Sequence, residues 1–225
     1  MNKNRMNPVE VYIVARDAGL LLNKYSIVNF EEHVKDQLIS GFLTALNNFA
    51  RELDFPEGVS LIRSGTLEAR FSPGKRVFSV LIIDYQMPLG SSTEAILSGL
   101  ASEIVQKFEE IYQDDLEKQT NSNKYRPKAF KDFWKEIDKI IDQFGEQSYE
   151  LYQKLVLIEA LYAKVPQKWC FPLIERVGGG ERVDILSEIP EMYHRPLKQA
   201  IKKVNLYSKP VWEIFVVPLI DPNSI

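Results

Sequence analysis

VEVYIVARDAGLLLNKYS, residues 9–26, reads as two strands folded back on each other, and the fold is worked out from that hairpin. Asp17, Ala18 and Gly19 supply the turn, because Gly19 takes a positive φ without the steric penalty of a Cβ. Val11, Ile13 and Ala15 alternate with Tyr12, Val14 and Arg16, and both sets carry apolar groups. A strand of that kind is covered on one side and partly covered on the other. Strands are therefore expected over residues 9–16 and 19–26.

The next segment, residues 30–53, has one apolar stripe at three- and four-residue steps: Ile39, Phe42, Leu43, Leu46, Phe49, Ala50 and Leu53. That spacing predicts an amphipathic helix. Asn29 is a suitable N-cap, with Glu31 and Glu32 against the positive end of the helix dipole. Pro56 and Gly58 stop it. Ser64-Gly65 and Ser72-Pro73-Gly74-Lys75 then mark two turns, which cut the following chain into strands over residues 58–62, 67–71 and 76–85. VFSVLIID, residues 77–84, is the most hydrophobic of these and is expected to be central in the sheet. Ser92 or Thr93 caps a helix over residues 93–117, whose apolar positions include Leu100, Ile104, Phe108, Ile111 and Leu116. The order ββαβββα is not the alternating βαβ pattern of a parallel-sheet protein. It predicts an α+β domain with a five-stranded, mostly antiparallel sheet and flanking helices.

The remaining sequence reads as helical. Residues 119–127 are polar and suggest a linker. Helices are expected over residues 128–144, with Phe130, Phe133, Trp134, Ile137, Ile140, Ile141 and Phe144 on one side, and over 149–164, ended by Pro166. Shorter helices are expected over 181–189 and 191–205, although Pro196 fits the second only near its start. VWEIFVVPL, residues 211–219, reads as a terminal strand. The boundary is placed between residues 146 and 147: a first domain over 1–146, then a helical C-terminal extension. That extension is either a small module or a decoration on the first domain, and the module is preferred.

Composition narrows the function classes. The chain has 225 residues, 45% hydrophobic and 26% charged, with a net charge of −3. Those values fit a folded globular protein. A sequence pI near 5.6 argues against general nucleic-acid binding, which leaves a basic footprint. The one cysteine, Cys170, excludes an internal disulfide framework. No apolar run approaches the ~20 residues of a membrane span, and residues 1–8 lack the apolar stretch of a secretion signal. A cytoplasmic location without a transmembrane segment is expected.

The element string, with ISGFLTALNNFAREL as the helix between the strand groups and VFSVLIID leading into a second helix, resembles the longin (SNARE-like) superfamily. More narrowly, it is similar to the longin- and roadblock-type proteins of archaea. VYIVARDAGLLL resembles that family's opening hairpin, in which an apolar strand runs into an Asp-x-Gly turn. FEEIYQDDLEK resembles the end of its second helix. A roadblock domain would add a helix before the first strand, and residues 1–8 are too short for one, which favours longin. The resemblance covers roughly the first two-thirds of the chain. It implies binding to a small Ras-like GTPase or membership of a trafficking-type complex, homo- or hetero-dimerisation through helix 30–53 or the sheet edge, and no cofactor or catalytic residue. Phe42, Leu46, Phe49, Phe130, Phe133 and Trp134 are the interface candidates, since aromatic residues are enriched in interface cores. Packing of the aromatic stripe on the domain's own sheet is the plainer reading of the last three.

No chemical constellation assembles from the residues. His33 and His194 are far apart among polar neighbours and read as surface histidines. Cys170, between Trp169 and Phe171, reads as a small buried hydrophobe. Gly178-Gly179-Gly180 lacks the Lys-Ser/Thr of a phosphate loop and is followed by Glu181, so it reads as a connection. Ser91-Ser92-Thr93 could hold an anion at a helix N-terminus, and capping is the plainer account. Glu109-Glu110 and Asp114-Asp115 point about 100° apart on a helix and read as a solvated face. Lys198, Lys202 and Lys203 form a basic patch, balanced by Glu188 and Glu191. The sequence is thus expected to encode a non-catalytic adaptor or regulatory subunit. Two alternatives stay open: a transcriptional regulator with a winged-helix-like C-terminal module, and a small-molecule sensor.

Overall fold

The structure is a computed structural model that describes residues 9–26, 41–46, 48, 58–65, 67–84, 90–122 and 124–215. The chain divides into two compact units. The first comprises residues 1–86 and 97–141, and the second residues 87–96 and 142–225.

In the first unit, strands β1 (Val9–Ala15), β2 (Leu21–Ser26), β3 (Leu61–Ser64), β4 (Leu67–Pro73) and β5 (Val77–Asp84) form one sheet in the order β2-β1-β5-β4-β3. Every pairing is antiparallel. The most hydrophobic strand, β5, is in the middle, where both faces are covered and an apolar run is stable. Helical residues 41–46, called α1, lie between β2 and β3 in sequence. On one sheet face Tyr12, Val14, Ala69, Phe71, Phe78 and Val80 pack with Leu21 and with Leu43 of α1. Gly19 has φ 64°, and a Cβ there would meet Thr44 of α1 at 3.0 Å, so this turn needs glycine on two counts. The remaining positions of the expected 30–53 helix lie outside the described residues, apart from Asn48, which is helical and exposed.

The opposite face carries Val11, Ile13, Leu81 and Ile83, all buried. It meets α2 (Ser91–Ile111): Ser79 Oγ donates to the Ala101 carbonyl at 2.8 Å. At the β4 border of this face sits a buried ionic group. Glu68 is fully buried and accepts from Arg63 Nε and Nη2 at 2.8 and 2.6 Å. Arg70 pairs with its other oxygen and donates to Ser98 Oγ of α2 at 3.1 Å. Beyond α2, the chain turns at Tyr112 into α3 (Gln113–Ser122), so the expected helix 93–117 is two helices and the first four residues of the expected linker, 119–122, are helical. A 3-10 segment, Pro127–Phe133, follows and lies beside β2, where Asn23 Nδ2 donates to the Phe130 carbonyl at 2.8 Å.

The expected helices 128–144 and 149–164 are one: α4 runs unbroken over Trp134–Lys164, through Gly145. The second unit continues with α5 (Gln167–Gly178), a helix that Pro172 conceals in the sequence. Its buried face is Cys170, Leu173 and Val177. The expected helix 181–189 shrinks to α6 (Ile185–Glu188). A 3-10 turn, Glu191–Tyr193, leads into α7 (His194–Trp212). Pro196 falls in the first turn of α7, where its missing N–H has no helical partner in any case. The expected strand 211–219 does not form over 211–215: Val211 and Trp212 end α7, and 213–215 turn. Residues 216–219 lie outside the described residues. The physical reason is packing. Trp212 is buried, its ring 4.4 Å from Tyr152 and 5.1 Å from Phe215.

Candidate functional site

Among the described residues, Cys170, His194, Glu181, Glu159 and Glu109 are engaged within the fold. Cys170 is 1% exposed, and burial pushes its thiol pKa up, which suppresses the nucleophilic thiolate. His194 Nε2 sits 3.1 Å from the Ile189 carbonyl oxygen; His33 lies outside the described residues. Gly178 closes α5, and the Gly180 amide donates to the Val177 carbonyl, so the triple glycine is a helix C-terminus. Glu181 after it is held by Arg176 at 2.6 Å. That hydrogen bond, against a smaller effect of burial, lowers the Glu181 pKa and raises that of Arg176. Among the described residues, no group of three or more His, Cys, Asp or Glu side chains is placed to share a metal ion.

The anion at the start of α2 is the chain's own. Ser92 Oγ donates to Glu159 Oε2 at 3.0 Å, the Ser92 amide at 3.4 Å and Ser91 Oγ at 3.3 Å. Gly90 makes room, since a Cβ there would come within 2.9 Å of Glu159 Oε1. A second internal anion was not legible from spacing. Glu109 is not on a solvated face. Its carboxylate accepts the amides of Lys75, Arg76 and Val77 at 3.0, 2.6 and 3.0 Å, closing the β4–β5 hairpin onto α2. Only the Pro-Gly-Lys turn, which leaves several amides without strand partners, hints at the need for an acceptor. Its neighbour Glu110 pairs with Lys107.

The interface candidates fall into different environments. Phe130 and Phe133 are fully buried in their own unit, in a cluster with Phe108 and Tyr112 at 4.8–6.1 Å between ring centres. Trp134, one residue further on, is 43% exposed with Lys135 over its ring. Phe42 is 62% exposed and Leu46 half-buried. Phe49 lies outside the described residues. Among the described candidates, Phe42 and Trp134 are thus the exposed ones.

The sheet border offers a second surface. The Phe71 amide donates to the Ser60 carbonyl, which makes Ser60–Phe71 a hydrogen-bonded pair. Pairing alternates along an antiparallel ladder, so Leu61 is at a non-bonded position and its main-chain N–H and C=O point away from β4. Among the described residues no strand pairs on that side of β3. Leu61 and Leu67 are exposed beside it.

Compared with known proteins, the chain matches no family model and no curated protein. No helix among the described residues is long and apolar enough to cross a membrane.

Proposed function

We propose that the chain is a non-catalytic adaptor or regulatory subunit built on a longin-like domain. Its partner is a protein, of the small Ras-like GTPase kind or a subunit of a trafficking-type complex. The observation that carries this reading is the place of β3 at the border of the sheet, where the main-chain N–H and C=O of Leu61 point away from β4 beside exposed Leu67. An edge of this kind accepts an added strand, main-chain hydrogen bonds giving affinity and flanking side chains giving selectivity. The element order along the first unit is consistent with the ββαβββα string on which the longin comparison rests. The internal engagement of Cys170, His194, Glu159 and Glu109 adds support, because it leaves these groups unavailable to a substrate. The test is affinity capture on the purified chain, followed by nucleotide-exchange assays on any GTPase recovered. Retention of a protein through a saturable surface supports the reading. Turnover of a substrate by the chain alone, or failure to retain any protein, overturns it.

A further inference from the structure

Helix α7 carries five cations and no acid: Arg195, Lys198, Lys202, Lys203 and Lys209. At 100° per residue, Arg195, Lys198, Lys202, Leu206 and Lys209 fall within an arc of about 80° along about 21 Å of helix. The inward face is separate, formed by buried Leu197, Ile201, Asn205, Ser208 and Trp212. Balance by Glu188 and Glu191, expected from the sequence, is not realised as ion pairs. Glu188 is held by Arg176 at 2.7 Å. Among the described residues Arg195, Lys198, Lys202 and Lys203 meet no carboxylate at ion-pair distance, and Lys209 reaches Glu213 only at 3.9 Å. Within this stripe stands Leu206, 66% exposed, and just before the helix stands Met192, 72% exposed.

We propose that this outer face of α7 docks on an anionic phospholipid surface. Three features favour lipid over an acidic protein or a nucleic acid. Four of the five cations are lysines, flexible point charges without the planar fork by which arginine recognises a carboxylate or phosphate in fixed geometry. A diffuse layer of headgroups needs no such geometry. Exposed Leu206 and Met192 beside the lysines supply the apolar contact that a headgroup layer accepts and a phosphodiester backbone does not. The whole chain has a net charge of −3, which repels a long polyanion but leaves a local stripe free to act within a Debye length of about 8–10 Å. This inference stands on α7 alone and does not depend on the adaptor reading.

The experiment is co-sedimentation of the full chain with vesicles of phosphatidylcholine alone, and of phosphatidylcholine containing about one-third phosphatidylserine. Binding is expected only to the anionic vesicles at roughly 0.1 M salt, and is lost near roughly 0.5 M. The triple variant Lys198→Glu, Lys202→Glu, Lys203→Glu is expected to bind at least about tenfold more weakly. Its far-UV spectrum and Tm should stay near the parent's, since Lys202 and Lys203 are exposed and Lys198 is half-exposed. A control with the same change of net charge, Lys124→Glu, Lys128→Glu, Lys131→Glu, alters exposed positions of the other unit and should bind as the parent does. Equal loss in both triples would overturn the assignment to α7. The proposal also fails if anionic vesicles are not bound, or if poly-glutamate or duplex DNA is retained at salt where vesicles are not.

Discussion

Glu109 shows how one carboxylate does the work of a longer loop. Three amides of the β4–β5 turn converge on it, and Gly74 is required beside it, because a Cβ there would sit 2.6 Å from Oε1. Hydrogen bonds to a charged acceptor contribute more than neutral ones, so Glu109→Ala should cost about 2 kcal/mol. For a chain of this size that lowers Tm by about 5 °C, and Glu109→Gln, which keeps one acceptor oxygen, should recover part of the loss. An unchanged Tm in the alanine variant would remove Glu109 from this role. Tyr152 makes the corresponding case in the second unit. Its hydroxyl lies 2.6 Å from Ser208 Oγ and 3.2 Å from Asn205 Oδ1, and burial is the main cause that pushes its pKa from 10.0 up to about 12. The fold accommodates the neutral phenol. Its contribution is therefore intact below pH 10 and falls as pH rises from 10 to about 12. Over that window the loss is about 2 kcal/mol. Urea midpoints measured at both ends should fall further in the parent than in Tyr152→Phe, whereas equal falls would exclude Tyr152 as the titrating group. Neither role was legible in the sequence. Glu109 is one of two adjacent acids on a helix, and only the distant hairpin says which one is used.

At the scale of elements, the sequence patterns that succeeded were those in which one face is uniformly apolar. β5 and the hairpin of β1 and β2 are examples, and their alternation survives in the burial of Tyr12 and Val14 on one face and Val11 and Ile13 on the other. The second unit was harder to read because polar residues occupy its inward face. Asn205 and Ser208 interrupt the helical series Leu197, Ile201, Trp212, so α7 looked shorter than it is and its end looked like a strand. Gly145 lies between the helices expected over 128–144 and 149–164. Glycine usually signals a helix end, yet here it is inside α4, where a Cβ would approach Phe215 Cβ to 2.9 Å. It is kept for a close approach. This yields a pair of predictions with opposite signs. Gly145→Ala gains about 1 kcal/mol of helix propensity but must displace an aromatic side chain at its root, at a cost of about 1–3 kcal/mol, so Tm should fall. Gly41→Ala, at an exposed helical position with nothing within 4 Å, should raise stability by about 0.5–1 kcal/mol. Thermal unfolding followed by circular dichroism reads both. A stabilised Gly145→Ala would mean that Phe215 does not pack there.

At the scale of the whole molecule, Glu159, Glu109 and His194 have internal partners and Cys170 is buried, while the main chain of Leu61 and a cationic stripe on α7 face outward. The antiparallel sheet was legible from turn residues and apolar runs. The border at β3 was not, because strand order depends on which distant segments pair and no local pattern encodes it. Strand addition at β3 makes a demand that ordinary side-chain contact does not. The outward N–H of Leu61 must be present. Leu61→Pro removes that donor at a position where proline is tolerated, since the N–H does not serve β4. Leu61→Ala keeps the donor and removes the side chain, which is 37% exposed. With a partner recovered by affinity capture, the proline variant should bind at least tenfold more weakly, while its stability changes by less than about 1 kcal/mol. The alanine variant should keep most of the affinity. Equal loss in both would assign the contact to the leucine side chain, and full binding by the proline variant would exclude β3 as the partner's path.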